Sequence, residues 1–329
     1  MRIGLTYDLQ TDPADERQAE FDPPSTIGAV EAALHTLGHE AVLLGGAQQL
    51  IASPHRLRDV ALVFNLAEGS HGRCREAWVP MLLEQWGVPF VGSGSATQAL
   101  ALDKVMSKRL AQSSGIKTPR WAVVEHADRL AAASTLRVPL IVKPRHEGSG
   151  IGIGPEAIVR DLTALRERVE WMTGRFHQAC LVEEFIAFGE LTVFLIGNGS
   201  PQALPAIQRP LDPVTRLSTH VAGGGSPRAW LSPVDLTPEL DAAACALAAR
   251  LFEVLRCRDM ARVDLRVDEA GQLYFLEVNP LPSFDPSGSV GLLAEYLGVT
   301  YAQLIGQILN AALLRLGFPL GACSPVPHP

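Results

Sequence analysis

No Cys-x-x-Cys pair occurs in this chain of 329 residues, and its five cysteines (Cys74, Cys180, Cys245, Cys257 and Cys323) are odd in number and scattered. That pattern excludes a zinc ribbon and a disulfide framework, and reads as core or incidental thiols in a reducing cytoplasm. Runs of about 18 apolar residues are missing, so no segment is expected to span a membrane. Basic charge is also short. The 28 Lys and Arg against 35 Asp and Glu leave a net charge of −7, which argues against nucleic-acid binding through bulk electrostatics. There is no internal repeat. The start, MRIGLTYDL, reads as a short buried strand rather than a signal peptide.

The apolar fraction of 47% and charged fraction of 19% are those of a globular protein. The length predicts two or three domains. Over the first hundred residues strand and helix signals alternate: RIGLTYD, the helical STIGAVEAALHTLG with Ser25 as N-cap and Gly38 as C-cap, then EAVLLGG, DVALVFNLAEG, REAWVPMLLEQWG and VPFVGSG. This βαβ rhythm predicts a parallel sheet covered by helices. One helix is expected over ATQALALDKVMSKRLAQSSG. VPLIVKPRHEGSGIGIG reads as strand, glycine-rich loop, strand, and QACLVEEFIAFGELTVFLIGNG as two strands around a bend at Gly189. The segment RPLDPVTRLSTHVAGGGSPR is long for a structureless connection, which favours a binding loop or lid. Helices return at PELDAAACALAARLFEVLR and YAQLIGQILNAALLRLG.

Most informative are the strands MARVDLRV (260–267) and QLYFLEVNP (272–280), joined by DEAG. A four-residue loop would pair Val267 with Gln272 and Arg262 with Glu277. Side chains alternate along a strand, so Arg262, Asp264, Glu277 and Asn279 would share one face. Val263, Leu265, Val267, Tyr274, Leu276 and Val278 would share the other. Two carboxylates and an amide oxygen on a rigid face form a hard-cation site of the kind Mg²⁺ favours, and an arginine beside them can hold a developing anion. An ordinary wet face with a salt bridge would read the same way.

Three further elements are weaker alone. Lys143 closes an apolar strand directly before Gly148, Gly150, Gly152 and Gly154. Such a loop lets backbone N–H groups approach phosphate oxygens. It is neither a Walker loop nor a Rossmann fingerprint. Glu183 and Glu184, followed by Phe185 and Ile186, offer a strand edge and carboxylate for an adenine, and Glu190 could bond a ribose. Lys104 sits on a helix, where a lysine is ordinarily solvated.

Taken in order, LDK, VKPRHEGSGIGIG, VEEFIAFGELTV, ARVDLRV and LYFLEVNPLPSFDPSGS resemble the ATP-grasp carboxylate-amine ligases, and within them D-alanine–D-alanine ligase and its relatives, from about Asn65 to about Arg315. The resemblance implies a Rossmann-like N-terminal α/β domain (1–97) followed by a two-part ATP-grasp domain, with a central part (98–181) and a C-terminal part (182–320) carrying metal site and lid. It implies ATP and Mg²⁺, two ions, as cofactors, amino acids or other small carboxylates as substrates, a cytoplasmic location and a homodimer. Lys104 and Lys143 would contact the phosphates, and Glu147, Ser149 and Gly150 would belong to the same ATP site. Glu183, Glu184, Phe185, Ile186 and Glu190 would hold adenine and ribose. Asp264, Glu277 and Asn279 would bind the metal. Arg262 would stabilise the tetrahedral oxyanion, with Ser149 helping to orient the reacting groups.

The departures fall on the amino-acid half. The second serine of the family's EGSS loop is Gly150 here. The family's GG-x-S-x-E stretch near the start is missing, and Glu20 is the nearest candidate for its glutamate. The YD…KY lid motif is missing too, leaving Arg209, Arg216 and His220 as cationic candidates. Ser283 replaces the glycine after NPLP. The serine for the second substrate's carboxylate falls at Gly288, between Ser287 and Ser289. The expected activity is therefore ATP-dependent joining of amino acids through an acyl phosphate. D-alanine for cell-wall synthesis is one substrate reading, and a different peptide or amide of specialised metabolism is the other. A non-catalytic nucleotide-binding regulator is opposed by the complete metal and arginine positions. A biotin-type carboxylase is opposed by the short chain and the EGSGIG loop.

Overall fold

The computed structural model describes residues 1–218 and 231–319. Its first sheet contains β1 (Arg2–Thr6), β2 (Glu40–Leu43), β3 (Leu62–Asn65) and β4 (Phe90–Val91) in the order β2-β1-β3-β4, paired parallel throughout. Parallel neighbours need crossovers, supplied by α1 (Pro24–Thr36), α2 (Ala47–Ala52) and α3 (Trp78–Trp86). The N-cap of α1 is Pro23 and not Ser25. Proline at the first helical turn gives up a donor that has no partner there. Gly38 follows the helix with φ of 81°.

The single helix expected after β4 is two, α4 (Ser95–Leu102) and α5 (Lys104–Ser113). Asp103 breaks it. Its backbone is extended and its carboxylate accepts from the Val105 and Met106 N–H groups. Arg145 grips the same carboxylate at 2.8 and 2.6 Å. Apolar periodicity shows neither contact, because Arg145 comes from a distant strand end.

Two antiparallel sheets complete the fold. The second sheet has the order β5-β8-β6-β7, from β5 (Trp121–Val124), β6 (Leu140–Pro144), β7 (Ile158–Val159) and β8 (Cys180–Glu184), with α6 (Leu162–Phe176) packed on one face. The third has the order β10-β9-β12-β13, with β11 on β9, from β9 (Gly189–Gly197), β10 (Gln202–Ala203), β11 (Ile207–Gln208), β12 (Asp259–Val267) and β13 (Leu273–Asn279). Helix α7 (Pro238–Val254), capped by the Thr237 hydroxyl, covers its apolar face. The bend at Gly189 thus joins two different sheets. A Cβ there would lie 2.1 Å from Val234 Cγ2, so the close approach requires glycine.

Helices α8 (Ser289–Tyr296) and α9 (Tyr301–Leu316) return to the first sheet, where Leu304, Ile305, Ile308 and Leu309 share a core with Ile3, Leu5 and Phe64. Asp259 anchors this return. Its carboxylate binds Arg315 of α9 at 2.9 and 2.6 Å, the Gly92 N–H at 2.8 Å and Asn198 at 2.9 Å. No single helix among the described residues is long and apolar enough to cross a membrane.

Candidate active site

The hairpin of β12 and β13 sets the site, and its register differs from the simple expectation. Arg262 lies opposite Asn279 and Asp264 opposite Glu277, whereas Leu265 lies opposite Phe275. Leu276 is therefore a bulge residue. A bulge adds one residue to one strand and so reverses the facing of the residues beyond it. Arg262, Asp264, Glu277 and Asn279 keep their common face. Leu273, Phe275 and Val278 join Val263, Leu265 and Val267 in the core. Leu276 turns toward the nucleotide cleft. Tyr274 sits opposite Arg266 and donates to Asp268 at 3.1 Å. The bulge moves Tyr274 and Leu276 off the apolar face on which strict alternation places them.

On the polar face Arg262 forks onto Asp264, with Nε at 3.1–3.2 Å and Nη2 at 2.9 Å. The Thr192 hydroxyl donates to Asp264 at 2.7 Å and Asn279 Nδ2 at 3.3 Å. Burial pushes the Asp264 carboxyl up, but Arg262 and Arg209 outweigh it and hold its pKa below the ordinary value. Glu277 faces the Lys104 ammonium at 3.4 Å. There, too, burial is outweighed, first by Lys104 and then by Lys143 and Arg262. Lys104 reaches this point because of the break at Asp103. Its N–H donates to the Arg145 carbonyl at 3.2 Å and its ammonium to the Glu147 carbonyl.

The glycine-rich loop follows β6 as a pair of tight turns, Ile151 N–H to Gly148 O and Ile153 N–H to Gly150 O, each at 2.9 Å. Ser149 has φ of 47° and Gly150 of 73°. The left-handed backbone suits glycine at 150, where the family has serine, and Ser149 carries it with an exposed side chain. Lys104, Lys143, Glu147, Gly148, Gly150, Glu190, Asp264 and Glu277 meet in one narrow cleft of about 70 Å³, whose apolar walls are Ile141, Ile153, Leu217 and Leu276.

Glu183 and Glu184 are not among the residues lining that cleft. Glu183 is fully buried beneath it, with Lys108 at 2.5 Å and Lys143 at 2.8 Å. Burial raises its pKa and the two lysines lower it, to about 2. It thus holds Lys143 in place. Glu184 points to the other side of β8, where Arg120 and Arg137 hold it. Phe185 N–H donates to Pro139 O at 2.9 Å and its ring stacks under Arg266 at 5.1 Å. Ile186 beside it is half-buried. Glu190 is ion-paired with Arg266 at 2.8 Å.

A larger cavity of about 400 Å³ adjoins the polar face and is lined in part by Glu20, Lys104, Ser149, Arg209, Arg262, Glu277, Asn279 and Gly288. Glu20 does enter the site from the N-terminal stretch, gripped by Arg75 at 2.6 and 3.0 Å. Gly288 lines the cavity. Ser287 does not face it: its side chain is exposed and its hydroxyl donates to Asp285 at 2.8 Å. Arg216 has φ of 63° and its carbonyl accepts from Arg266, at the base of the expected lid. His220 lies outside the described residues. Sequence reasoning missed Lys108, Arg75, Arg266 and Leu217. Only Lys108 left a local trace, four residues after Lys104 on the same helix.

A hairpin that sets an arginine beside paired carboxylates, facing two lysines and a glycine loop across a cleft between two antiparallel sheets, defines an ATP-grasp enzyme. Residues 110–310 match the family described as D-ala D-ala ligase C-terminus. A D-alanine–D-alanine ligase of Cupriavidus necator is 36% identical over 250 residues, 75% of each chain. One of Synechococcus is 33% identical over 96% of this chain and 98% of that one. An uncharacterized protein of Sinorhizobium fredii, y4sG, is 33% identical over 87% of both. The solved structure of the Bacillus anthracis D-alanine–D-alanine ligase complexed with ATP shares the fold, with a TM-score of 0.74 at 23% identity over 96% of this chain and 98% of that one. The chain belongs to the D-alanine–D-alanine ligase family, and is an ATP-dependent ligase that forms C–N bonds.

Proposed function

We propose that the chain transfers the γ-phosphoryl group of ATP to a small carboxylate, releasing ADP, and that an amino-acid amine then attacks the acyl phosphate. The amine loses a proton, the C–O bond to phosphate breaks, and an amide and inorganic phosphate leave. A carboxylate is a poor electrophile at neutral pH, and phosphorylation supplies the leaving group. The observation that carries this reading is the face of Arg262, Asp264, Glu277 and Asn279 set directly opposite Lys104.

Lys104 and Lys143 hold the phosphates, with the N–H groups of Gly148 to Gly150. Ile141, Ile153, Leu217 and Leu276 enclose the base, and Glu190 takes the ribose. Asp264, Glu277 and the Asn279 amide oxygen fit Mg²⁺, since they are hard oxygen donors on one face of the hairpin, and we assign them two ions. When bound, Mg²⁺ neutralises phosphate charge during transfer. Arg262 stabilises the tetrahedral oxyanion. Glu20, oriented by Arg75, receives the ammonium of the first amino acid. Closure of the segment that begins at Arg209 and Arg216 excludes water, which would hydrolyse the acyl phosphate. D-alanine, the substrate that the names of the ligases of C. necator and Synechococcus indicate, is the first amino acid to assay with this chain.

The test is ADP release from Mg-ATP with single amino acids and pairs, with product masses determined. Glu277→Ala is expected to lower turnover by about 10²-fold or more with an unchanged fold by circular dichroism. Full turnover in that variant would remove Glu277 from the metal site. Gly148→Ala gives a second check. An added Cβ would fall 2.2 Å from Glu20 Oε1, the far end of a flexible side chain. The expected result is little loss of stability and a KM for the amino acid raised by about tenfold, because displaced positioning groups cost binding and orientation. An unchanged KM would detach Glu20 from the substrate.

A further inference from the structure

The larger cavity carries both signs of charge. Its cations, Lys104, Arg209 and Arg262, each already face a carboxylate, Glu277, Glu190 and Asp264 respectively. It is also lined by Glu20, Asp22, Glu68, Glu76 and Asp285. Arg75 grips Glu20. Glu68, Glu76 and Asp285 have no ion pair with a basic side chain among the described residues.

Asp22 is the decisive member. It is only 8% exposed, it lines the cavity, and no hydrogen bond or ion pair reaches its carboxylate among the described residues. Its backbone is fully engaged, N–H to Asp8 O and O to Gln10 N–H, so the loop holds the side chain in place. A buried carboxylate without a partner is costly. Burial, then Asp8 and Asp285, pushes Asp22 up to about 7 with no cation acting against it, whereas burial and neighbouring carboxylates raise Glu68 and Glu76 against the pull of Arg75 on both and of Lys104 on Glu76. One ammonium on Glu20 would leave Asp22 uncompensated. A second cation would compensate it, and no basic side chain of the described chain fills that position.

Resting on the ligase reading, we propose that this cavity binds a substrate with two ammonium groups, a diamino acid or diamine, whose second cation sits on Asp22. The reaction is unchanged. One neutral amine nitrogen or the carboxylate of this substrate takes part in amide formation, and the other nitrogen stays protonated against Asp22, Glu68 and Asp285.

The test compares D- and L-lysine with D- and L-norleucine, which match it in chain length but lack the ε-ammonium, and 1,4-diaminobutane with butylamine. Each is supplied with Mg-ATP alone and with D-alanine, and ADP and product mass are followed. The expected result is ADP release with an amide product retaining a free amine, at a kcat/KM at least about tenfold above the monoamine isostere, as for a buried charge pair that loses one partner. Asp22→Asn, nearly isosteric and relieved of a buried repelling charge, should raise KM for the diamine by about tenfold with kcat within about twofold, and erase the preference over the isostere. Dialanine formation with no advantage for a dication, unaffected by Asp22→Asn, would overturn this proposal while keeping the ligase. No ADP release with any pair, though ATP binds, would overturn both.

Discussion

Replacing Arg262 by alanine is expected to lower the rate of amide formation by about 10²–10³-fold, the usual effect of removing an oxyanion donor, while ATP still binds and ADP still forms. Arg262 is held by the Asp264 carboxylate, at 2.9–3.2 Å. The fork fixes the guanidinium plane and leaves its remaining N–H groups toward the cavity that Arg262 lines. The Lys104 side of the cleft, which would hold the phosphates, does not depend on it. Phosphoryl transfer should therefore outrun amide formation, and the acyl phosphate should be lost to water. The measurement is the ratio of ADP to amide, which should rise from one toward a large value. Arg262→Lys should recover only part of the coupling, since an ammonium keeps the charge but not the planar fork. Equal ADP and amide in the alanine variant, at the wild-type rate, would take Arg262 out of the second step.

Lys108→Met should be the most destabilising single change near the site, at about 3–5 kcal/mol, the cost of removing one partner from a buried ion pair. Lys108 is 1% exposed. It meets Glu183 at 2.5 Å and donates to Thr118 at 2.8 Å and to the Phe275 carbonyl at 3.2 Å. Methionine fills the volume but leaves Glu183, fully buried, with Lys143 alone. Lys143 would then be drawn into neutralising Glu183, so ATP affinity should fall together with stability. Calorimetry should show a Tm lower by on the order of 10 °C. Lys108→Met with Glu183→Gln should recover part of the loss, because the stranded charge is then gone. A Tm unchanged in the single variant would mean that the pair contributes nothing to the fold.

Local features were legible in the amino-acid order alone. Alternation and the DEAG turn placed Arg262, Asp264, Glu277 and Asn279 on one face, and that survived the change of register because the bulge at Leu276 lies outside the four. The glycine run after Lys143 and the βαβ rhythm of the first hundred residues were likewise legible, since each depends on neighbours a few positions away. The family resemblance named Glu183 and Glu184 for the nucleotide but not their partners, which are Lys108 and Lys143 for the one and Arg120 and Arg137 for the other. Long-range packing set the break at Asp103, because the arginine that stabilises it arrives from 42 residues further along the chain. It also set the return of α9 to the first sheet through Asp259 and Arg315, 56 residues apart. Above all it gathered Glu20, Asp22, Glu68, Glu76 and Asp285 around one cavity. Each is an unremarkable acid in its own segment, and no periodicity links a loop before α1, two positions after β3 and a turn before α8. They come together only where the first sheet's loops meet the hairpin, because the cavity is built by packing and not by chain neighbours.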